Sequence, residues 1–208
     1  MTAFVYGATG LVGQTLLRLL LDDSDYTQVH VLARRSVAGL TDHSKVSLIV
    51  SDFDAFIASG RVPAVDHVFS ALGTTIKVAG SREAFRKVDF EYVVEVAKMA
   101  SNSGVSRFVL VSALGADRKS FFFYNRVKGE VESAVSEIGF ESTVILRPSL
   151  IVGEREQVRR TEQIWESVLK FVPKNYRPVQ ALDIAACMIR EAKGDAHTGG
   201  VILSRHIA

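Results

Sequence analysis

The sequence predicts an α/β protein built on a doubly wound parallel sheet. Three observations favour this class: a glycine-rich turn directly after the first apolar strand, short Val/Ile/Leu-rich runs that alternate with helical patterns, and glycines that follow predicted helices. Runs of this kind are typical of strands that are buried on both faces of a sheet. The 208 residues suffice for one domain with a substantial core, so residues 1–208 are interpreted as a single domain, with 149–208 as its substrate-side segment.

Strands and helices alternate along the chain. The predicted strands are 3–6, 28–33, 46–50, 67–71, 107–112, 142–147 and 200–203. The predicted helices are 12–21, 82–101, 120–138, 161–171 and 181–192. The charged segment 154–160 is interpreted as the solvated start of a helix, and a mobile lid is the alternative.

The first strand leads into the glycine motif Gly7-x-x-Gly10-x-x-Gly13. Gly7 allows a tight turn, Gly10 allows the backbone to approach a pyrophosphate, and Gly13 allows close packing of helix and strand. The N–H groups at the start of the following helix attract an anion. Gln14 stands where a P-loop would have its lysine. The motif therefore predicts a dinucleotide-binding Rossmann fold rather than Walker-type ATP binding.

The end of the second strand indicates which dinucleotide is bound. In NAD binders an acidic residue about 20 positions beyond the motif holds the ribose 2′-hydroxyl. Here Arg34 and Arg35 occupy this place, and residues 33–36 include no carboxylate. Two guanidinium groups are suited to a 2′-phosphate, although an exposed basic turn would look the same. The sequence thus predicts NADP(H) in preference to NAD(H).

Composition limits the other classes of function. The net charge of +2 is too small to indicate nucleic-acid binding. No apolar run approaches the ~20 residues that span a bilayer, so no membrane partner is expected. The single cysteine, Cys187, is interpreted as a buried apolar residue and favours a reducing cytoplasm. The five histidines show no metal-ligand spacing. We therefore expect a cytoplasmic protein with a small-molecule substrate and no metal; the oligomeric state stays open.

The strongest catalytic signal is Tyr124-x-x-x-Lys128 in the third predicted helix. Residues at i and i+4 share one face of a helix, and a nearby ammonium favours the phenolate form of a tyrosine. Such a tyrosine exchanges a proton with a substrate oxygen. Ser112, at the end of the fifth strand, is placed where side chains point into the cofactor crevice. These three residues are the predicted catalytic set.

Together these motifs resemble the atypical short-chain dehydrogenases/reductases. Several further segments are similar to the group around the Tat-interactive oxidoreductase, whose members are described as NAD(P)H-binding or nucleoside-sugar-epimerase-like. These segments are Arg34-Arg35, Ala71-Leu72-Gly73-Thr74-Thr75, Val88-Asp89-x-x-Tyr92-Val93, Gly115-Ala116-Asp117 and Val127-Lys128-Gly129-Glu130-Val131-Glu132. The resemblance covers residues 3–208.

The resemblance implies further cofactor contacts. It places Asp52 and Phe53 at the adenine ring, and Pro148 and Ser149 near the nicotinamide. It places Ala71, Leu72, Gly73 and Thr74 beside the cofactor, and Thr9, Leu11 and Val12 around the pyrophosphate. The glycines of the motif, the two arginines, Tyr124 and Lys128 complete the predicted cofactor contacts. Two departures stand out. Residues 71–75 replace the Asn-Asn-Ala-Gly of typical members, and the helix asparagine of the usual proton relay is replaced, with Asp89 nearby.

Three functions remain open from the sequence. The first is an NADP(H)-dependent oxidoreductase that acts on a small carbonyl or alcohol. The second is a non-catalytic NADPH sensor or interaction protein, and the third is an epimerase-like enzyme. A semialdehyde dehydrogenase is not expected, because its nucleophilic cysteine has no counterpart here and Cys187 lies far downstream in a predicted helix. The run Phe121-Phe122-Phe123 is interpreted either as a wall of an apolar pocket or as core.

Overall fold

The computed structural model describes residues 1–36, 43–153, 177–194 and 199–207. Seven strands among these residues form one parallel sheet. They are β1 Thr2–Tyr6, β2 Gln28–Ala33, β3 Val46–Val50, β4 His67–Ser70, β5 Arg107–Val111, β6 Ser142–Arg147 and β9 Gly200–Leu203. Their order across the sheet is β3-β2-β1-β4-β5-β6-β9. The order reverses between β1 and β4, so the sheet has the doubly wound Rossmann topology, in one domain.

Helices cover both faces of this sheet. They are α1 Leu11–Asp22, α2 Phe53–Ala58, α3 Ile76–Ala79, α4 Arg82–Arg86, α5 Tyr92–Asn102, α6 Phe123–Ser136 and α7 Ala181–Lys193. A π-helical segment, Lys87–Glu91, joins α4 to α5, and a two-stranded sheet pairs β7 Ile151–Val152 with β8 Val179–Gln180. The predicted strands match to within one residue at each end. Helices α2 and α3 and the β7–β8 pair were not expected, because such short elements give little periodicity.

The core consists of two layers because alternate side chains of each strand point to opposite faces. Ala3 and Val5 of β1 face one layer with Leu16 of α1 and Met188 of α7. Phe4 faces the other layer, with residues of α2, α5 and α6. The predicted helix 161–171 and the charged segment 154–160 lie outside the described residues. Among the described helices, none is both long and apolar enough to cross a membrane.

Candidate cofactor and active site

The glycine turn lies at the carboxyl end of β1, at the point where the strand order reverses. Gly7 has a φ of +85°, and a Cβ there would overlap the backbone of Ala71 and Leu72. A Cβ at Gly13 would overlap the carbonyl oxygen of Gly7. These two glycines are required because neighbouring backbone fills the space that a side chain would need.

Gly10 differs from the other two glycines. The nearest atom to a Cβ at Gly10 would be the Gly7 oxygen, at an ordinary contact distance of 3.5 Å. Gly10 is also the residue before α1, whose first turn contains no acidic side chain. The first N–H groups of a helix have no partner within it and attract an anion. The turn therefore leaves open space beside free donors, which suits a pyrophosphate.

Three further residues that are predicted to contact the cofactor lie around this turn. Thr9 is exposed, and its carbonyl oxygen accepts a hydrogen bond from Gln14 Nε2 at 2.9 Å. The side chain of Leu11 is directed towards Gly153, because a Cβ at Gly153 would overlap it. Val12 is buried in the core and contributes only its backbone to the surface of the turn.

Arg34 and Arg35 follow β2 directly and are exposed. Leu32 of β2 is in register with Tyr6 of β1, one residue before Gly7. The two arginines thus leave the sheet at the same edge as the glycine turn, on the neighbouring strand. This is the position from which a guanidinium group reaches the ribose end of a dinucleotide.

The two residues that are predicted to contact the adenine both have partners within the protein. Asp52 is the N-cap of α2, where its Oδ1 accepts the N–H of Ala55 at 2.8 Å. The Phe53 ring is buried and stacks on Tyr92, with ring centroids 4.9 Å apart. The Phe53 side chain therefore belongs to the core. Contact of these residues with an adenine stays a prediction, and for Phe53 it would come from the backbone.

The loop after β4 is placed between the glycine turn and α6. The Ala71 N–H donates to the Tyr6 carbonyl oxygen at 3.0 Å. At the other end of the loop, Thr74 N–H donates to Asp89 Oδ2 at 2.9 Å. Leu72 packs on the α2–α5 layer, and Gly73 is exposed. The loop is thus fixed at both ends, with Gly73 open to the crevice.

Tyr124 and Lys128 lie one turn apart on α6. Tyr124 is half-buried, and its ring lies 5.5 Å from that of Phe85 between centroids. Lys128 is buried, and its Nζ lies 2.7 Å from Asp89 Oδ1. The Asp89 side chain is fully buried, and burial raises the pKa of this carboxyl against the opposing effect of Lys128. The ion pair itself was not expected from the sequence, although Asp89 stands near the place of the missing asparagine.

Ser112 belongs to a second buried network. Its Oγ donates to Glu132 Oε1, and Arg147 Nε donates to the same carboxylate oxygen at 3.0 Å. The Glu132 carboxylate raises the pKa of the Arg147 guanidinium. Glu132 lies one turn beyond Lys128, so Tyr124, Lys128 and Glu132 share one face of α6 over a little more than two turns. Two features of the sequence could have indicated this network. Glu132 stands four positions after Lys128, and Arg147 is a lone arginine at the end of the apolar strand β6.

The loops after β5 and β6 are joined beside this network. Pro148 is buried, and its carbonyl oxygen accepts the Leu114 N–H at 2.8 Å. Ser149 Oγ donates to the carbonyl oxygen of Arg177, which precedes β8. The predicted nicotinamide-side loop is therefore tied to α7 through the β7–β8 pair.

The phenylalanine run is neither wholly core nor a closed pocket wall. The Phe121 and Phe122 side chains are 93% and 71% exposed, and their ring centroids lie 6.2 Å apart. Phe123 is half-buried against Phe85. Of the three rings, Phe123 is the one that contacts a buried side chain, Phe85, and neither interpretation of the run is met in full.

Fold and site together define a dinucleotide-binding protein of the Rossmann class. The chain belongs to the NAD(P)H-binding family, whose model matches residues 7–192. The Fmp52 protein of Emericella nidulans, which is named mitochondrial, is 41% identical over 163 residues, covering 76% of this chain and 70% of its own length.

Two solved structures share the fold. The human epimerase family protein SDR39U1, crystallised with NADPH, has a TM-score of 0.64 at 18% identity, covering 97% of this chain and 73% of its own. The Bordetella bronchiseptica enzyme WbmG, in complex with NAD, has a TM-score of 0.72 at 16% identity, covering 97% and 71%. The expected NAD(P)H-binding Rossmann fold is confirmed.

The expectation of a cytoplasmic protein is wrong. Fmp52 relatives from several fungi are named mitochondrial. The expectation relied on Cys187, whose thiol is buried, and burial raises its pKa to about 11. An inert buried thiol is compatible with any compartment, so it does not discriminate between them.

Proposed function

We propose that this protein is an NADP(H)-dependent oxidoreductase that acts on a small carbonyl or alcohol. One observation carries the proposal: α6 and the glycine turn meet at the loop after β4. Tyr124 and Lys128 share a face of α6, and Lys128 lies beside Gly73 of this loop. The same loop packs against Gly7. A proton-exchanging hydroxyl and a buried ammonium are thus built into the same sheet edge as the anion-binding turn.

The fit to NADP(H) is supported by charge and space. The open side of Gly10 and the N-terminus of α1 would hold the pyrophosphate, and Arg34 and Arg35 would hold a 2′-phosphate. Lys128 would bind the nicotinamide ribose. The cofactor, when bound, supplies or accepts the hydride. Tyr124 would exchange a proton with the substrate oxygen, and residues 149–153 would lie on the substrate side.

A second candidate is an NADPH-binding protein without turnover. It is favoured by Ser112, which is buried and donates its proton to Glu132 rather than facing the crevice with a free donor. In this reading the cofactor site is a sensor and Tyr124 has no catalytic part. The mitochondrial names of the Fmp52 relatives support mitochondria as the location in either case.

Tyr124→Phe separates the two candidates. Purified protein is screened with aldehydes, ketones and quinones by following the absorbance of NADPH, and the affinity for NADPH is measured by calorimetry. Because the substitution removes the proton and keeps the ring, turnover should fall by roughly 10²–10⁴. Affinity should stay within about threefold, since general acid–base catalysis is distinct from cofactor binding.

Tyr92→Phe is the matched control. It also removes one hydroxyl, here one that donates to Asp54 on the outer surface, and turnover should be unchanged. A carbonyl that is reduced equally well by Tyr124→Phe would refute the role of Tyr124. Tight NADPH binding without reduction of any carbonyl would favour the sensor.

A further inference from the structure

Asp89 is a fully buried carboxylate at the centre of the candidate site. It lies in the π-helical segment between α4 and α5, a type of helix irregularity that is frequent at functional sites. Its two oxygens have separate partners: Oδ2 accepts the Thr74 N–H at 2.9 Å, and Oδ1 lies 2.7 Å from Lys128 Nζ. The carboxylate therefore joins the loop after β4 to α6.

The ion pair lies directly beside the exposed Gly73. A Cβ built on Gly73 would be 3.4 Å from Asp89 Oδ1 and 3.7 Å from Lys128 Nζ. A ligand that contacts this loop would therefore be separated from both charged groups only by Gly73, which has no side chain. Because both side chains are almost excluded from water, at 6% and 0% exposure, the solvent screens their fields only weakly.

We propose that Asp89 sets the balance between the affinities of this site for the oxidised and the reduced cofactor. Its carboxylate cancels the charge of Lys128, so the site binds the cationic oxidised nicotinamide nearly as well as the neutral reduced one. The inference rests on the proposed function, which places the nicotinamide end of the cofactor at Lys128.

The charge balance follows from the residues. Oxidised nicotinamide carries one positive charge and reduced nicotinamide carries none. A lone ammonium at this place repels the oxidised form and leaves the reduced form unaffected. With an uncharged residue at position 89, Lys128 would be such a lone charge. With Asp89, the pair is electrically neutral and both forms meet the same small field.

A purely structural role would give a different result. Removal of one partner of a buried ion pair is destabilising, because the other charge remains buried and uncompensated. Such damage weakens the binding of both cofactor forms together. Structural damage that weakens the binding of both forms equally leaves the ratio Kd(NADP⁺)/Kd(NADPH) unchanged. A change in this ratio therefore reports the charge near the nicotinamide.

The experiment measures this ratio by calorimetry at one pH and ionic strength in five proteins. They are the unmodified protein, Asp89→Asn, Lys128→Met, the double variant Asp89→Asn/Lys128→Met, and Glu130→Gln as control. Glu130 lies on the same helix and pairs with Arg86, so its substitution removes an ion-paired carboxylate away from Lys128.

The ratio should follow the net charge of residues 89 and 128. It should rise about tenfold in Asp89→Asn, the order expected for one unit charge at an effective dielectric constant near 20 after partial screening. It should fall below the unmodified value in Lys128→Met and return towards that value in the double variant. For a two-electron couple, a tenfold change corresponds to about 30 mV in the potential of the bound cofactor. Glu130→Gln should not change the ratio.

An unchanged ratio in Asp89→Asn, with weaker binding of both forms, would overturn the proposal and leave Asp89 a structural residue. If Asp89→Asn does not fold, the comparison of Lys128→Met with the double variant isolates the same carboxylate; equal ratios there would also overturn the proposal. Failure of the proposed function is seen separately, because it appears as a lack of cofactor binding or of turnover in the unmodified protein.

Discussion

The strands begin at one edge of the sheet, the amino edge, and end at the opposite edge, the carboxyl edge. Both edges bury polar groups, but the surroundings of these groups differ. At the amino edge, the groups are paired with one another or with backbone. Tyr26 Oη lies 2.7 Å from His67 Nδ1, and Arg107 donates to the carbonyl oxygens of Ala192 and Gly194. At the carboxyl edge, polar groups such as Asp89 and Lys128 are paired as well, but Gly10 also leaves space open beside the N–H groups of α1. Contacts within the protein therefore fill the amino edge, whereas the carboxyl edge has room for a ligand.

The difference has a physical origin in parallel topology. In a doubly wound sheet the helices begin at the carboxyl edge and end at the amino edge, so the positive ends of their dipoles and their unpaired N–H groups collect at one edge. Carbonyl groups collect at the other, where Arg107 contacts the last residues of α7. Function is therefore expected at the carboxyl edge, and perturbation of each edge should have a different result.

The largest effect is expected from Gly10→Val. A branched side chain would occupy the open space of the turn, so affinity for NADPH should fall by roughly 100-fold or more while the fold persists. Circular dichroism and calorimetry measure the two properties. Gly200→Val, in a strand position with no atom within 4 Å of the new Cβ, is the control. Normal NADPH binding by folded Gly10→Val would show that the pyrophosphate lies elsewhere.

A smaller effect is expected from the double variant Arg34→Ala/Arg35→Ala. A charge-assisted hydrogen bond to a phosphate contributes about 1.5–3 kcal/mol, and water weakens the contacts of exposed groups such as these two, so NADPH should bind about 10- to 100-fold more weakly in total. NADH lacks the 2′-phosphate and should be nearly unaffected. Arg61→Ala, which removes an exposed arginine outside the site, should change neither affinity. Equal affinities of the unmodified protein for NADPH and NADH would contradict the proposed cofactor preference.

The smallest effect concerns the amino edge and involves stability alone. Burial lowers the pKa of His67 from 6.5 to about 4, and nearby Arg107 acts in the same direction. The fold therefore favours neutral His67, and its contribution to stability is present above pH 6.5 and is lost as the pH falls towards 4. The melting temperature should drop by a few °C more than in His67→Gln over this window. Identical pH dependence in both proteins would exclude His67 as the cause.

Local sequence patterns predicted most of the fold. Short Val/Ile/Leu runs marked the seven strands, and the helical pattern before Gly104 marked the helix that became α4, the π-helical segment and α5. The interruption at Lys87–Glu91 was not predicted, because a π-helical turn leaves the apolar pattern almost unchanged. The two-residue strands β7 and β8 were missed, since pairing between distant residues has no local signal.

For the site, the sequence by itself determined the residues whose role depends on backbone geometry. Gly7, Gly10 and Gly13 have fixed spacing along one strand–turn–helix unit, and Tyr124 and Lys128 have fixed spacing along one helix, so short-range geometry places them. Only the tertiary structure decided the partners of buried charges. Asp89 meets Lys128 across 39 positions, and Glu132 meets Arg147 from a different element. Such pairs form because packing excludes water around them, and no local pattern states which charges will be enclosed together.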